Sequence, residues 1–137
     1  MRLIDPASDS EYMTNKVKDT NGCYVVPAFT GPGVSRWDQS ARGVGMTRGV
    51  NRYHIIRVAL YSLCYHVNDV FQVMKADSGT ELAALKADGG ASSNKFLMQT
   101  QSDIIGAPVE KPVCVETISM CAAYLAGLPA GNRKGKA

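Results

Sequence analysis

A pair of glycines between an apolar segment and a polar helix start is the feature of this sequence best suited to chemistry. The segment from Leu85 to Gly106 predicts a strand, a turn at Gly89 and Gly90, and a helix in immediate succession. Glycine permits the tight turn and lets a ligand approach the backbone closely. Free N–H groups at the start of the helix, with the positive end of its dipole, favour negative charge. The arrangement therefore indicates a nucleotide phosphate as the ligand.

An Asp-Gly-Gly turn also joins ordinary strands and helices, so this motif alone favours a purely structural role. The sequence contains neither the GxxxxGK[ST] pattern of a P-loop nor the GxGxxG pattern of a dinucleotide site. The functional assignment therefore depends on the residues around the turn.

Several further segments accompany the glycine turn in a fixed order. They are Asn21–Gly31, Ser40–Gly43, Gly45–Asn51, Ala107–Pro112 and Glu116–Leu128. Together with the turn, these segments resemble the C-terminal domain of the glycerol kinases, which are FGGY carbohydrate kinases. The resemblance is collinear from Asp9 to Leu128 and is much more specific than any single motif.

The resemblance implies an α/β fold, namely the latter part of a ribonuclease-H-like (actin-type) ATPase domain with a mixed sheet and flanking helices. Residues 1–137 then form one incomplete domain, because the family's glycerol site, catalytic aspartate and phosphate-binding hairpin all precede the matched segment. The implied reaction of the whole kinase is phosphoryl transfer from ATP to glycerol with Mg²⁺. The chain alone is expected to be inactive, and its missing N-terminal kinase domain or a partner chain is an expected partner.

Two positions acquire nucleotide roles from the resemblance. The backbone of Gly90 is expected near the α-phosphate, and Asn94 is expected to contact the adenine end of ATP or ADP. Gly89 and Asp88 are expected to shape the turn, since an aspartate beside glycine commonly bonds its own backbone. Gly89 is therefore expected to be part of the nucleotide site together with Gly90 and Asn94. No catalytic residue and no metal ligand is assigned to this chain.

Some positions depart from the family pattern. Between the segments Ala41-Arg42-Gly43 and Gly45-Met46-Thr47 the chain is about two residues shorter than the family pattern, which would change the alternation of a strand there. Tyr61 stands where the family usually has an acidic residue, and Cys121 replaces a glycine. Two alternatives to a nucleotide-binding kinase part therefore stay open: a degenerate interaction module without nucleotide, and one half of a split kinase.

Residue spacing predicts the remaining elements. A long helix is expected from an Asn51 cap to a stop at Gly79, because apolar residues recur every three or four positions. That apolar stripe consists of Ile56, Leu60, Leu63, Val67, Val70 and Met74. Residues 1–20 are expected to form a short helical or irregular segment with little chemistry.

Shorter elements follow the long helix. Residues 81–87 favour a helix by propensity, but the resemblance assigns a strand at Leu85–Asp88. The other expected elements are strands at Tyr24–Phe29 and Val109–Val113, a helix at Ser93–Ile105 capped by Ser92 or Ser93, and a helix from a Thr117 cap to Ala126.

Composition sets the broad class of the protein. With 137 residues, 45% of them hydrophobic, one domain with a modest core is expected. A net charge of +3 with scattered basic residues argues against nucleic acid. The sequence has no apolar run of the about 20 residues that span a bilayer and no signal peptide, so no membrane association and a cytoplasmic location are expected. Four cysteines without CxxC spacing are expected to be buried, reduced thiols.

The ends of the domain carry two further expectations. Residues 129–137 are basic and are expected to form a flexible tail. An incomplete sheet would leave an open strand edge, and such edges invite pairing. A homo-oligomer is therefore expected, in the form of a two-fold dimer built through strand edges or the apolar face of the long helix.

Overall fold

The computed structural model of the protein describes residues 3–4, 6–26, 42–79, 83–114 and 116–127. Its helices are α1 (Ser10–Thr14), α2 (Arg52–Ser78), α3 (Lys95–Ile105) and α4 (Thr117–Gly127). Its strands are β1 (Tyr24–Val26), β2 (Arg42–Val44), β3 (Leu85–Lys86) and β4 (Val109–Glu110). Single 3-10 turns at Ala7–Asp9 and Gly90–Ser93 precede α1 and α3. The predicted tail at 129–137 lies outside the described residues.

The strands pair in both directions, as expected for a mixed α/β fold. β1 is antiparallel to β2, and β3 is parallel to β4. Within the described ranges the two pairs form separate two-stranded sheets. Of the strand predicted at Tyr24–Phe29, the first three residues form β1 and the rest lie outside the described residues.

The strand that the resemblance placed before the glycine turn is present, although it is short. Leu85 N–H donates to the Pro108 carbonyl at 2.9 Å, and Ala87 N–H donates to the Glu110 carbonyl at 2.9 Å. These ladder bonds outweigh the helix propensity of the segment. The strand predicted at Val109–Val113 is too long, because β4 ends at Glu110 and Pro112 has no N–H to extend the ladder.

The long helix begins and ends where the sequence predicts. Asn51 Oδ1 accepts from the backbone N–H of Tyr53 at 3.0 Å and of His54 at 3.3 Å, and His54 Nδ1 accepts from Asn51 N–H at 3.1 Å. This is a reciprocal capping box. Gly79, with φ 60°, ends the helix in the left-handed conformation that glycine adopts most easily.

The predicted apolar stripe of α2 is largely wrong. Ile56 is buried, but four of the other members are exposed: Leu63, Val67, Val70 and Met74. α2 packs instead against α1, β1 and α3. The residues it buries there are Ile56, Val58, Ser62, Cys64 and Phe71.

Arg57 of α2 joins three helices. Its Nη1 donates to the carbonyl oxygens of Thr14 at 3.1 Å and Val17 at 2.7 Å, just at the end of α1. Its Nη2 donates to the Tyr61 hydroxyl at 3.0 Å, and the guanidinium lies 4.8 Å from the ring centre of Phe96 in α3. The Nε atom is buried without a hydrogen-bond partner among the described residues.

The last helix has little cover. Thr117 does not cap it from outside, as predicted, but is its first residue, and its hydroxyl donates to Asp88 Oδ2. Asp88 therefore holds the turn to α4, in line with the structural role expected for it. α4 buries no residue and packs against no other described helix or strand.

No helix in the described part of the chain is long and apolar enough to cross a membrane.

The prediction of buried thiols is correct for half of the cysteines. Cys23 and Cys64 are fully buried, whereas Cys114 and Cys121 are exposed because β4 ends before one of them and α4 carries the other. All four are free thiols. Burial raises the pKa of the Cys64 thiol to about 11, so this group stays protonated at neutral pH.

Thiol labelling at neutral pH tests this arrangement. Cys114 and Cys121 should react rapidly with an aromatic disulfide reagent, while Cys23 and Cys64 react only on unfolding, because the attacking thiolate is either absent or inaccessible. Replacing both exposed cysteines by serine should remove the fast phase and leave the slow one. Rapid labelling of Cys64 in the native protein would contradict the packing of α3 on α2.

Candidate functional site

A pocket of about 830 Å³ lies between α1, α2 and the first turn of α3. Ligand sites commonly have volumes of about 300–1,000 Å³. Its wall is mainly aliphatic, with Ile4, Ile55 and Leu60 on one side. Gly90 and Asn94 line the other side, so the fold brings these two predicted nucleotide residues to one cavity. The third predicted residue, Gly89, shapes the turn and is not part of the lining.

The two glycines of the turn have different constraints. Gly89 has φ 82° and ψ 171°, a conformation that is essentially restricted to glycine. Its carbonyl accepts from Ser92 N–H at 3.0 Å and from Ser92 Oγ at 2.7 Å, which closes the turn. Gly90 has no such backbone requirement, and a Cβ built there would meet no atom within 4 Å. A side chain at position 90 would therefore not clash with the protein. Because Gly90 has none, the space beside the pocket stays open.

The cap of α3 differs from the prediction. Asn94, and neither Ser92 nor Ser93, is the N-cap residue, and its Oδ1 accepts from Leu97 N–H at 2.9 Å. Ser92 is committed to Gly89 through the bonds described above. A residue predicted to contact a ligand therefore also begins the helix.

The expectation that the start of α3 offers free N–H groups to an anion is wrong. Lys95 N–H donates to Glu11 Oε2 of α1 at 2.9 Å. With the bond from Leu97 to Asn94, two of the first three N–H groups of α3 have partners. The negative charge that the helix start favours is already supplied by a side chain of the protein.

Two residues of the site escaped the sequence prediction, which expected little chemistry in residues 1–20. Ser10 Oγ accepts from Asn94 Nδ2 at 3.0 Å, and Glu11 occupies the start of α3. Both partners lie 84 positions away in the sequence. Local spacing carries no signal for a contact of that length.

No group of three or more histidine, cysteine, aspartate or glutamate side chains that could hold a metal ion occurs in the described parts of the chain. The pocket lining is mostly aliphatic, with the Asn94 amide, serine hydroxyls and one carboxylate, that of Glu11, which already accepts from Lys95 N–H; this set is a poor fit for a divalent cation. What it suits is a flat, mostly uncharged group with a few hydrogen-bonding atoms.

Residues 4–130 match the model of the FGGY family of carbohydrate kinases, C-terminal domain. The chain belongs to this family. Its resemblance to glycerol kinases is also borne out, since it is 65% identical over 133 residues to the glycerol kinase of Agathobacter rectalis and 57% identical to that of Carboxydothermus hydrogenoformans. Each match covers 96% of this FGGY chain but only 27% of the relative, so the chain corresponds to a small C-terminal part of those kinases.

Solved structures of FGGY kinases agree with the fold. The crystal structure of Plasmodium falciparum glycerol kinase with ADP superposes with a TM-score of 0.80 at 36% identity, over 97% of this chain and 27% of that one. A xylulose kinase from Lactobacillus acidophilus gives a TM-score of 0.74 at 17% identity over 98% of this chain and 28% of its own, which supports the fold alone. The ribonuclease-H-like fold expected from the sequence is thereby confirmed.

A matched pair of variants separates the two glycines of this FGGY domain. Gly89→Ala should lower the free energy of unfolding by about 1–3 kcal/mol, because alanine is strained in that conformation. Gly90→Ala should change it by less than about 0.5 kcal/mol, since the site is open. Urea denaturation of both proteins measures the difference. Equal losses would show that the turn conformation is not as described.

Proposed function

We propose that this chain is the nucleotide-binding C-terminal part of a glycerol kinase, which as a whole converts ATP and glycerol to ADP and glycerol 3-phosphate. The observation that carries the proposal is that Gly90 and Asn94 line one mainly aliphatic pocket. A relative that is 36% identical over nearly all of this chain was crystallised with ADP, which supports the same ligand class here.

The two sides of the pocket suit different ends of the nucleotide. Its aliphatic wall suits the adenine ring, and the Asn94 amide can bond an atom on the edge of that ring. Gly90 lies at the rim beside open space, where a backbone without a side chain lets the α-phosphate approach. The residues present therefore fit the adenosine side of ATP or ADP.

The remaining parts of the reaction are proposed to lie elsewhere in the kinase. Phosphoryl transfer requires Mg²⁺, neutralisation of the transferred group and a base for the attacking hydroxyl. The described residues do not fit a Mg²⁺ site. The matched relatives are almost four times as long as this chain, which leaves room for these groups in the rest of the protein.

Calorimetry with ADP tests the proposal. The wild-type chain should bind ADP, Gly90→Val should abolish binding by filling the space beside the pocket, and Asn94→Ala should weaken it about tenfold through loss of one hydrogen bond. Gly127→Val, at an open position at the end of α4, is the matched control and should leave the affinity unchanged. Absence of binding at millimolar ADP would instead support a degenerate interaction module.

An activity assay tests whether the isolated chain is an active kinase by itself. Substantial glycerol 3-phosphate formation by the isolated chain with ATP, Mg²⁺ and glycerol would contradict the proposal that the glycerol site and base lie elsewhere. If a separately encoded N-terminal partner completes the enzyme, it should co-purify with the chain and restore activity.

The exposed apolar side chains of α4 support self-association of the isolated chain. Ile118 is 82% exposed and Leu125 is 69% exposed, and such surface seldom stays bare in a soluble monomer. Light scattering in dilute buffer should give the mass of a two-fold dimer, and Ile118→Glu with Leu125→Glu should give a monomer. Tyr12→Glu, at an exposed aromatic residue of α1, is the control and should stay dimeric. A monomeric wild-type chain at micromolar concentration would refute the dimer.

A further inference from the structure

The short helix α1 contacts the start of α3, at its N-cap residue Asn94 and its first residue Lys95. Ser10 Oγ accepts from Asn94 Nδ2 at 3.0 Å, and Glu11 Oε2 accepts from the N–H of Lys95 at 2.9 Å. Two consecutive residues of α1 thus bind Asn94, a predicted nucleotide residue, and its chain neighbour Lys95.

These contacts fix the orientation of the Asn94 amide. Because Oδ1 accepts from Leu97 N–H, the nitrogen must face the other way, toward Ser10. A primary amide nitrogen carries two hydrogens, and the contact with Ser10 uses one of them. The second is available to an acceptor atom in the pocket, such as a ring nitrogen of a nucleobase. Without Ser10, Asn94 Oδ1 would still accept from Leu97 N–H, but Nδ2 would lose its hydrogen-bond partner.

Glu11 affects the site through its negative charge. It is the only ionisable side chain among the described residues that line the pocket. Its carboxylate lies at the start of α3, where the helix dipole would otherwise attract a phosphate. A phosphate entering this end would meet a like charge, whereas an uncharged base would not.

α1 is itself held in place from its other end. Thr14 is fully buried, and its Oγ1 donates to the Ser10 carbonyl at 2.7 Å. Arg57 binds the carbonyl oxygens of Thr14 and Val17. Ser10 and Glu11 are therefore presented by a fixed element, although the helix has only five residues.

We propose that Ser10 and Glu11 are positioning residues for nucleotide recognition. Ser10 sets the Asn94 amide so that it donates to the base, and Glu11 excludes phosphate from the start of α3 and so directs the phosphates to the glycine turn. This inference rests on the proposed function and adds to it the device that sets the direction of the nucleotide in the pocket.

A double-mutant cycle tests the role of Ser10. Ser10→Ala should weaken ADP binding by about threefold to tenfold in the wild-type background, and should have no further effect in Asn94→Ala, because Ser10 acts through that amide. Ser10→Thr, which keeps the hydroxyl, should restore the affinity. Tyr12→Ala, on the exposed side of the same helix, is the control for a general loss of α1.

The outcomes separate this inference from the function on which it rests. A wild-type chain that binds no ADP would overturn both. If the wild-type chain binds ADP and Ser10→Ala binds it equally well, or loses the same factor in the Asn94→Ala background, only the role of Ser10 is overturned.

The role of Glu11 has a readout that does not use nucleotide. Inorganic pyrophosphate should shift the backbone amide resonance of Gly90 in the wild-type protein and leave that of Lys95 unchanged. In Glu11→Ala it should also shift Lys95, because the start of α3 becomes free. A Lys95 shift of the same size in the wild-type protein would overturn the exclusion of phosphate by Glu11.

Discussion

The guanidinium of Arg57 is the contact on which the arrangement of the three central helices depends. It binds the carbonyl end of α1, the Tyr61 hydroxyl of α2 and the ring of Phe96 in α3. A cation over an aromatic ring contributes about 0.5–2 kcal/mol, and a hydrogen bond from a charged donor contributes about 1.5–3 kcal/mol. These terms matter because isolated helices shorter than about 12–15 residues are marginal in water, and α1 has only five residues. Without Arg57, the helix that carries Ser10 and Glu11 would lose the bonds that hold its C-terminal end to α2.

Helix limits and turns could be predicted from the sequence where they depend on only a few neighbouring residues. The limits of α2 follow from an asparagine that can cap and a glycine that can turn left-handed, and both act within one helical turn. The position of the glycine turn at 89–90 is of the same kind. β3 is different, because its residues favour helix and its ladder partner, β4, lies more than 20 residues further along. Only the family resemblance predicted this strand.

Features that depend on contacts between distant segments could not be predicted from the sequence. The stripe of α2 has a regular period on Leu63, Val67 and Val70, yet the face that is buried is the one that α1, β1 and α3 reach. Periodicity shows that a helix has an apolar face but does not show which neighbours exist to cover it. At the start of α3, serine and asparagine are both acceptable caps; Ser92 and Ser93 belong to the 3-10 turn, Ser92 is bound to Gly89, and Asn94 caps the helix.

The pairing of Ser10 with Asn94 also has a consequence for how the protein folds. The partners are 84 positions apart, so the chain must close a large loop before either contact can form. The backbone hydrogen bonds of α2 join residues that are close in sequence, whereas contacts of long sequence separation form slowly. We therefore expect the pocket to be completed late in folding, so that a partly folded chain with a nearly complete set of helices would still lack an oriented Asn94. Nucleotide affinity would then report on the finished tertiary structure more strictly than helix content does.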